Sequence, residues 1–184
     1  MSTVHFGGEE LGPDTESVAL VNVEWPDLAP LTGLVHLRTL ELTHTNPHVS
    51  PGGMPVDIAP LAQLGALEVL VLQHYPLEST EPLRELRALR VLDLAHAPVS
   101  DLGPLAGLRE LRELRLRATR VADLSPLSSL EQLEALDVAH TRVSSLRPLH
   151  GLPALRRVDV EGSAVPPSEV AALTRAVLDV TVTT

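Results

Sequence analysis

A leucine spacing that restarts every 22 residues is the feature that most constrains this chain. The same apolar pattern begins at Leu67, Leu89, Leu111, Leu133 and Leu155. Earlier copies begin at Thr15 and, with eight additional residues, at Leu37, and a truncated copy begins at Val177. Self-similarity at this period is the signature of a solenoid. Seven repeats and a fragment are therefore expected to stack over residues 15–184.

Each copy contains an alternating segment and, further on, a proline. In Leu92-Asp93-Leu94 and its equivalents, apolar and polar residues alternate, which predicts a β-strand with one buried face. Six copies place a proline directly before a leucine: Pro30, Pro60, Pro82, Pro104, Pro126 and Pro148. Proline is excluded from central strands but readily opens a helical turn. The sequence predicts an α/β solenoid with a parallel sheet on its concave face and short 3₁₀ or loop segments on its convex face.

The repeat also resembles a known family. The spacing LRVLDLAHAPVSDLGPLAGL is similar to a leucine-rich repeat, and its DLxPL element resembles the internalin-like or SDS22-like subclass of bacterial type. The resemblance implies a right-handed curved solenoid that binds other proteins. The family places asparagine at the ninth position, where it bonds neighbouring turns. This chain has Val23, Tyr75 and Ala97 in three copies and threonine or serine in others, so we expect looser turns at those three.

The ends of the chain depart from the pattern, as the covers of a solenoid do. We expect one domain over residues 1–184, in which residues 1–14 cover the first repeat and residues 15–165 hold the repeats. Residues 166–184 are expected to form a helix capped by Ser168 and a closing edge strand. Both ends resemble native covers, so we expect a complete, monomeric protein. The chain has no cysteine, no leader-like start and no membrane-spanning stretch, which predicts a cytoplasmic location.

Outward-facing strand residues form columns across the stacked repeats. The fifth column holds Asp93, Arg115 and Asp137 on adjacent strands, which predicts one arginine between two carboxylates at ion-pair distance. Either these three charges pair only with one another, or Arg115 is available to an acidic group of a partner. Arg117 has only alanines beside it in the seventh column. We therefore expect its guanidinium to stand clear of the sheet, either as a partner contact or simply solvated.

Histidine recurs at the eighth position, where each strand turns into a loop. His44, His74 and His96 are consecutive in this column, and His140 joins it two repeats later. Three neutral imidazoles about 5 Å apart could hold a transition metal or titrate together near pH 6. Repeat duplication alone could also explain the column. The sequence leaves these three interpretations open and assigns no metal.

An insertion enlarges the second copy at the same rim. Residues 46–57 read NPHVSPGGMPVD, and the prolines and glycines predict a loop. Insertions in solenoids often map to the binding face. Met54 and His48 of the loop are therefore expected to form one composite patch with Tyr75, His44 and His74. A neutral insertion is the alternative.

These features predict a protein–protein interaction module, such as an adaptor, an inhibitor or an immunity-type protein. It would use the concave sheet and the rim of histidines and inserted loop. The net charge of −10 suggests a protein partner with basic patches. A metal-binding or enzymatic protein that uses the histidine rim is the alternative. The chain has no Gly-rich phosphate loop, HExxH or GxSxG, so we expect no enzyme, catalytic residue or cofactor. Net acidity and scarce aromatic residues also argue against nucleic-acid binding.

Overall fold

A computed structural model describes residues 3–23, 27–44, 55–77 and 79–184. The strands, in chain order, are β1 (Val4–Phe6), β2 (Glu9–Leu11), β3 (Ser17–Val21), β4 (Thr39–Thr43), β5 (Val69–Gln73), β6 (Val91–Asp93), β7 (Glu113–Arg115), β8 (Ala135–Asp137), β9 (Arg157–Asp159) and β10 (Thr181–Thr183). The 3₁₀ helices are Ala29–Gly33, Ala59–Gln63, Glu81–Glu85, Gly103–Gly107, Ser125–Ser129 and Arg147–Leu149, and α1 is Pro167–Ala176. No helix among these described residues is long and apolar enough to cross a membrane.

Strands β3 to β10 form one parallel sheet in chain order, each strand beside that of the next repeat. The predicted α/β solenoid is thereby confirmed. Leu92, Leu114 and Leu136 are paired across β6, β7 and β8, and none is more than 2% exposed. Each 3₁₀ helix carries its proline in its first two positions, and the following leucine is buried, as Leu105 is. One buried leucine or valine from each of β3 to β9 and one leucine from each 3₁₀ helix thus meet in a continuous core.

The aspartate of the DLxPL element has a local structural role. The carboxylates of Asp57, Asp101 and Asp123 accept a hydrogen bond from the backbone N–H two residues later, at 2.8 Å in each case. Such a turn satisfies a donor at the start of a 3₁₀ helix, where no earlier carbonyl is available. In the repeat of β6, Asp101 thereby fixes the approach to the helix that begins at Gly103.

The ninth-position residues bond within their own turn. The hydroxyls of Thr119, Thr141 and Ser163 donate to the carbonyl three residues earlier, at 2.7, 2.6 and 2.6 Å. Ala97 lacks a hydroxyl, but its backbone N–H bonds Leu94 O at 3.1 Å, and the side chain is fully buried. The expected looser turn at Ala97 is therefore wrong, because the backbone bond closes the turn without help from the side chain.

The antiparallel hairpin β1–β2 packs against the first repeat. Its turn uses Gly7 and Gly8, whose φ angles of +58° and +87° favour glycine. A Cβ on Gly7 would lie only 2.3 Å from Leu20 Cδ1. The hairpin buries Phe6 and Leu11, so apolar surface at this end of the core is covered.

At the other end, α1 is joined to the last complete repeat by a carboxylate. Glu169 Oε2 accepts hydrogen bonds from Ser145 Oγ and from the backbone N–H of Leu146, both at 2.9 Å. Arg147 Nε lies 3.7 Å from the other oxygen. Ser145 stands where other repeats have aspartate, so Glu169 brings a carboxylate to a turn that lacks its own. The helix begins at Pro167, and the expected capping bond from Ser168 is absent.

Strand β10 pairs in a register two residues away from the expected one. Thr181 lies opposite Arg157 and Thr183 opposite Asp159, so Thr183 takes the fifth column, where the repeat pattern had placed Thr181. Val177 follows α1 as its C-terminal cap, and its N–H bonds Leu173 O at 2.9 Å. The leucine-like position of the last copy therefore caps the helix.

Replacing Leu116 with alanine should destabilise the protein by about 2–5 kcal/mol, because a fully buried leucine leaves a cavity. Urea unfolding followed by circular dichroism measures the difference. Val35→Ala is the control: Val35 is 62% exposed and its truncation should change stability by less than about 0.5 kcal/mol. Equal stability of Leu116→Ala and the parent would contradict the inward placement.

Replacing Glu169 with glutamine should lower the melting temperature at pH 7. The pKa of Glu169 is held below its ordinary value of 4.5 by hydrogen bonds from Leu146 N–H and Ser145, and further by Arg147 and His150. The stabilisation is complete above about pH 4.5 and is lost as the pH falls through the lower folded-state pKa. The melting temperatures of parent and variant should therefore converge in acid. A constant difference between pH 7 and pH 3 would show that ionisation of Glu169 is irrelevant.

Candidate protein-binding surface

The concave face of the sheet carries an apolar strip on β5 and β6. Val69 and Val91 are direct neighbours in the parallel register, and both are partly exposed. Val71 is 9% exposed but lies outside the core cluster, as expected for an outward-facing side chain crowded by its neighbours. These residues belong to the third and fifth columns. Sequence reasoning missed the strip because it did not follow the third column, where two consecutive repeats carry valine.

The charged half of the concave face begins at β7. Arg115 pairs with Asp93 at 3.4 Å and with Glu113 at 2.6 Å. Asp93 is only 1% exposed, and it also accepts hydrogen bonds from Gln73 and from the Ala95 N–H. Asp93 is therefore satisfied inside the protein and is poorly placed to contact a partner.

The expected ladder is only half formed, because Asp137 makes no ion pair with Arg115. The second carboxylate that Arg115 uses comes from Glu113 on its own strand, which is close enough for a 2.6 Å contact. Asp137 accepts a hydrogen bond from the Ala139 N–H at 2.9 Å. Burial raises the pKa of Asp137, the Ala139 N–H acts in the opposite direction, and nearby Asp159 adds to the increase.

Arg117 does not stand clear of the sheet. Its guanidinium lies 3.1 Å from Glu161 and 3.8 Å from Asp159, two repeats away. The intervening seventh-column residue is Ala139, whose short side chain leaves the path open. The alanines that suggested a free arginine instead allow it to reach carboxylates beyond the adjacent strand.

The histidine column follows from backbone conformation. His74, His96 and His140 have φ angles of +66°, +63° and +56°. Asn22, Ala118 and Gly162, the other column members with positive φ, have +59°, +56° and +63°. Asparagine and histidine are enriched in this left-handed region, and glycine enters it freely. The slot therefore selects residues that tolerate the turn, a requirement that the sequence pattern alone did not reveal.

Neighbouring column residues also contact one another. The rings of His74 and His96 stack with centroids 4.2 Å apart and planes within 9°. The His44 ring meets Tyr75 edge-on at 6.2 Å. At Gly162 a Cβ would lie 2.3 Å from His140 Nδ1, so the imidazole occupies the space over the glycine. Within residues 3–23, 27–44, 55–77 and 79–184, no three histidine, aspartate or glutamate side chains are placed to hold a metal ion.

Tyr75 belongs to the core rather than to a surface patch. It is 4% exposed, and its hydroxyl donates to Val23 O at 2.9 Å, two repeats away. The prediction that Tyr75 contacts a partner is therefore wrong. Its ring is buried, and its hydroxyl connects the turn of its own repeat to the turn two repeats earlier. Met54 and His48 lie outside the described residues, and their predicted contacts stay predictions.

Replacing His96 with alanine should raise the pKa of His74. Burial lowers the pKa of His74, and the charges that His96 and His44 acquire on protonation lower it further, against an opposing effect of Asp93. Because the folded-state pKa lies below the ordinary 6.5, the unfolded chain binds this proton more readily and stability falls below about pH 6.5. NMR titration of the ring protons measures the shift. His140→Ala is the control, and an unchanged His74 pKa in His96→Ala would refute the coupling.

The fold is shared with several solved structures. An internalin (inlF) from Listeria monocytogenes has a TM-score of 0.77 and 24% identity over 95% of this chain and 51% of its own. Internalin C2 from the same organism has a TM-score of 0.69 and 30% identity over 85% of this chain and 66% of its own. A leucine-rich repeat protein from Leptospira interrogans has a TM-score of 0.71 and 17% identity, with 85% and 39% covered.

The chain thus spans between about two fifths and two thirds of these proteins. No family model matches it, and no curated protein matches it in sequence. The assignment consequently depends on the repeat, the parallel sheet and the structural similarity together. On these grounds the chain is a leucine-rich repeat protein whose fold is similar to that of the internalins.

Proposed function

We propose that this chain is a protein–protein interaction module that binds its partner on the concave face of the sheet. The observation that carries the proposal is the strip formed by Val69 and Val91. These valines point away from the leucine core, and no described residue covers them completely. Apolar surface surrounded by charged groups is the usual arrangement of a protein interface. Family membership supports the same function, since leucine-rich repeat proteins commonly bind other proteins.

We expect the charged residues of this face to contribute less to the binding affinity than the valines do. Arg115 and Arg117 are held by carboxylates of the same chain, so a partner would have to compete with existing ion pairs. Such partly exposed pairs contribute little free energy each. Their effect should lie in the association rate and its salt dependence, and the net charge of −10 favours a basic partner. Affinity should come mainly from the valines.

Metal binding or catalysis at the histidine rim is not favoured. The His74 and His96 rings stack face to face, and the His44 ring is edge-on to Tyr75. A shared metal would require ring nitrogens to converge on one point, which parallel stacked rings do not provide. We therefore assign the rim histidines to the backbone turn and, at most, to the edge of the interface. A cytoplasmic location stays a prediction from the absence of cysteine.

Replacing Val91 with arginine should weaken partner binding at least about tenfold, because it places a large charged side chain in the apolar strip. The tagged parent and variant are used to capture partners from a native lysate, and the affinity of the captured protein is then measured at fixed salt. Val35→Arg is the matched control: it makes the same chemical change at an exposed site outside the sheet. Circular dichroism establishes that both variants are folded.

Loss of binding in Val91→Arg alone would support the concave face. Equal retention by both variants would place the binding surface elsewhere and overturn the proposal. Loss in Val35→Arg alone would move the interface to the turn that precedes β4.

A further inference from the structure

We infer that the concave face recognises an extended partner segment in which an aliphatic residue is followed, four residues later, by arginine or lysine. The aliphatic side chain would pack on Val69 and Val91, and the basic side chain would enter a depression beside Asp137. This inference rests on the proposed function and names the chemistry of the partner.

The depression lies over β7 to β10 and has a volume of about 320 Å³. Its lining includes Ala135, Asp137, Arg157 and Asp159. Ala135 is 9% exposed and outside the core cluster, so its small side chain lies at the base of the concave surface between larger neighbours. The space is sufficient for the end of a long side chain entering from the partner.

Asp137 gives this depression its preference for a cation. The other two carboxylates of the lining are engaged: Glu113 with Arg115 at 2.6 Å, and Asp159 with Arg117 at 3.8 Å. Among the described residues, Asp137 forms no ion pair, and one of its oxygens is used by the Ala139 N–H. Burial raises the pKa of Asp137 and Asp159 raises it further, while the Ala139 N–H and the charge of Arg117, which forms no ion pair with Asp137, act in the opposite direction. A partner ammonium or guanidinium would give this carboxylate an ion-pair partner.

Arg157 allows the effect of a positive charge in the same depression to be compared with the effect of the negative charge of Asp137. It lines the depression, is exposed, and forms no ion pair with any part of the chain that the structure describes. Its positive charge must oppose a second cation in the same space. Removing the Arg157 charge should therefore strengthen binding of a basic side chain, whereas removing the Asp137 charge should weaken it.

The spacing follows from the geometry of the sheet. The midpoint between β5 and β6 is three strand intervals from the midpoint between β8 and β9, or about 14 Å at about 4.8 Å per interval. An extended segment advances about 3.3 Å per residue, so about four residues cover this distance. Side chains alternate along such a segment, so those at i and i+4 point to the same face. Both can therefore contact the sheet together.

The test uses NMR titration of the ¹⁵N-labelled chain with acetylated, amidated synthetic peptides. The principal probe contains Leu-Thr-Ser-Thr-Arg within a Gly/Ser frame. One control probe replaces its arginine with glutamine, and another shortens the spacing to Leu-Thr-Arg. The principal probe should shift the amide signals of Val69, Val91, Asp137 and their strand neighbours, and should bind more tightly than either control.

Three variants separate charge from shape. Asp137→Asn keeps an oxygen that can accept the Ala139 N–H, and it should weaken the principal probe about fivefold, the upper range for one partly exposed ion pair. Glu131→Gln removes one negative charge at an exposed position away from this sheet and should change the affinity less than about twofold. Arg157→Gln should increase the affinity. In the parent, bound probe should also lower the pKa of Asp137.

If the affinity is unchanged both by Asp137→Asn and by replacement of the probe's arginine, the inference is overturned, while binding to the concave face still stands. Shifts confined to other surfaces, or no shift at millimolar probe, would also overturn it. The proposed function fails on a different result, namely partner binding that survives Val91→Arg.

Discussion

No repeat of this chain can bury its leucines alone, and every other feature depends on the mutual burial between neighbours. Leu92, Leu114 and Leu136 illustrate the arrangement: each is covered because the repeats on both sides supply equivalent side chains in register. The same stacking pairs the backbone of successive strands. Hydrophobic burial and hydrogen bonding therefore require the same register between neighbouring strands. The eight additional residues of the second copy keep this register, since Leu40 still pairs with Leu70, whereas β10, which follows α1 at the C-terminal end, is shifted by two residues.

The solenoid could be predicted from the sequence because period, strand alternation and proline position all indicate the same structure. The outward-facing residues were harder to predict, because column neighbours are known from the repeat but side-chain reach is not. Arg117 shows the difficulty: its adjacent alanines were identified correctly, yet its guanidinium extends to Glu161. Tyr75 shows another limit, since its hydroxyl partner Val23 O lies two turns away. A pattern of apolar positions contains no information about such long contacts.

The histidine column illustrates how backbone strain can resemble a functional site. A left-handed φ at each strand exit restricts the residues that fit, and the retained imidazoles at His74 and His96 then stack because consecutive repeats place them side by side. Clustering of metal-ligating residues in a repeat protein can thus follow from one conformational requirement copied along the chain. The coupling between their protonation states is a by-product of that proximity.

The aspartates of the fifth column also mark where three strands of the sheet end. At Asp93, Asp137 and Asp159 the carboxylate accepts the N–H two residues later, and strands β6, β8 and β9 end at these residues. A strand of three residues is about 10 Å long, close to the diameter of a single α-helix. This part of the sheet is therefore about as wide as one polypeptide segment. The partner proposed above would accordingly present a protruding loop or tail, because a surface this narrow offers little contact area to a broad flat face.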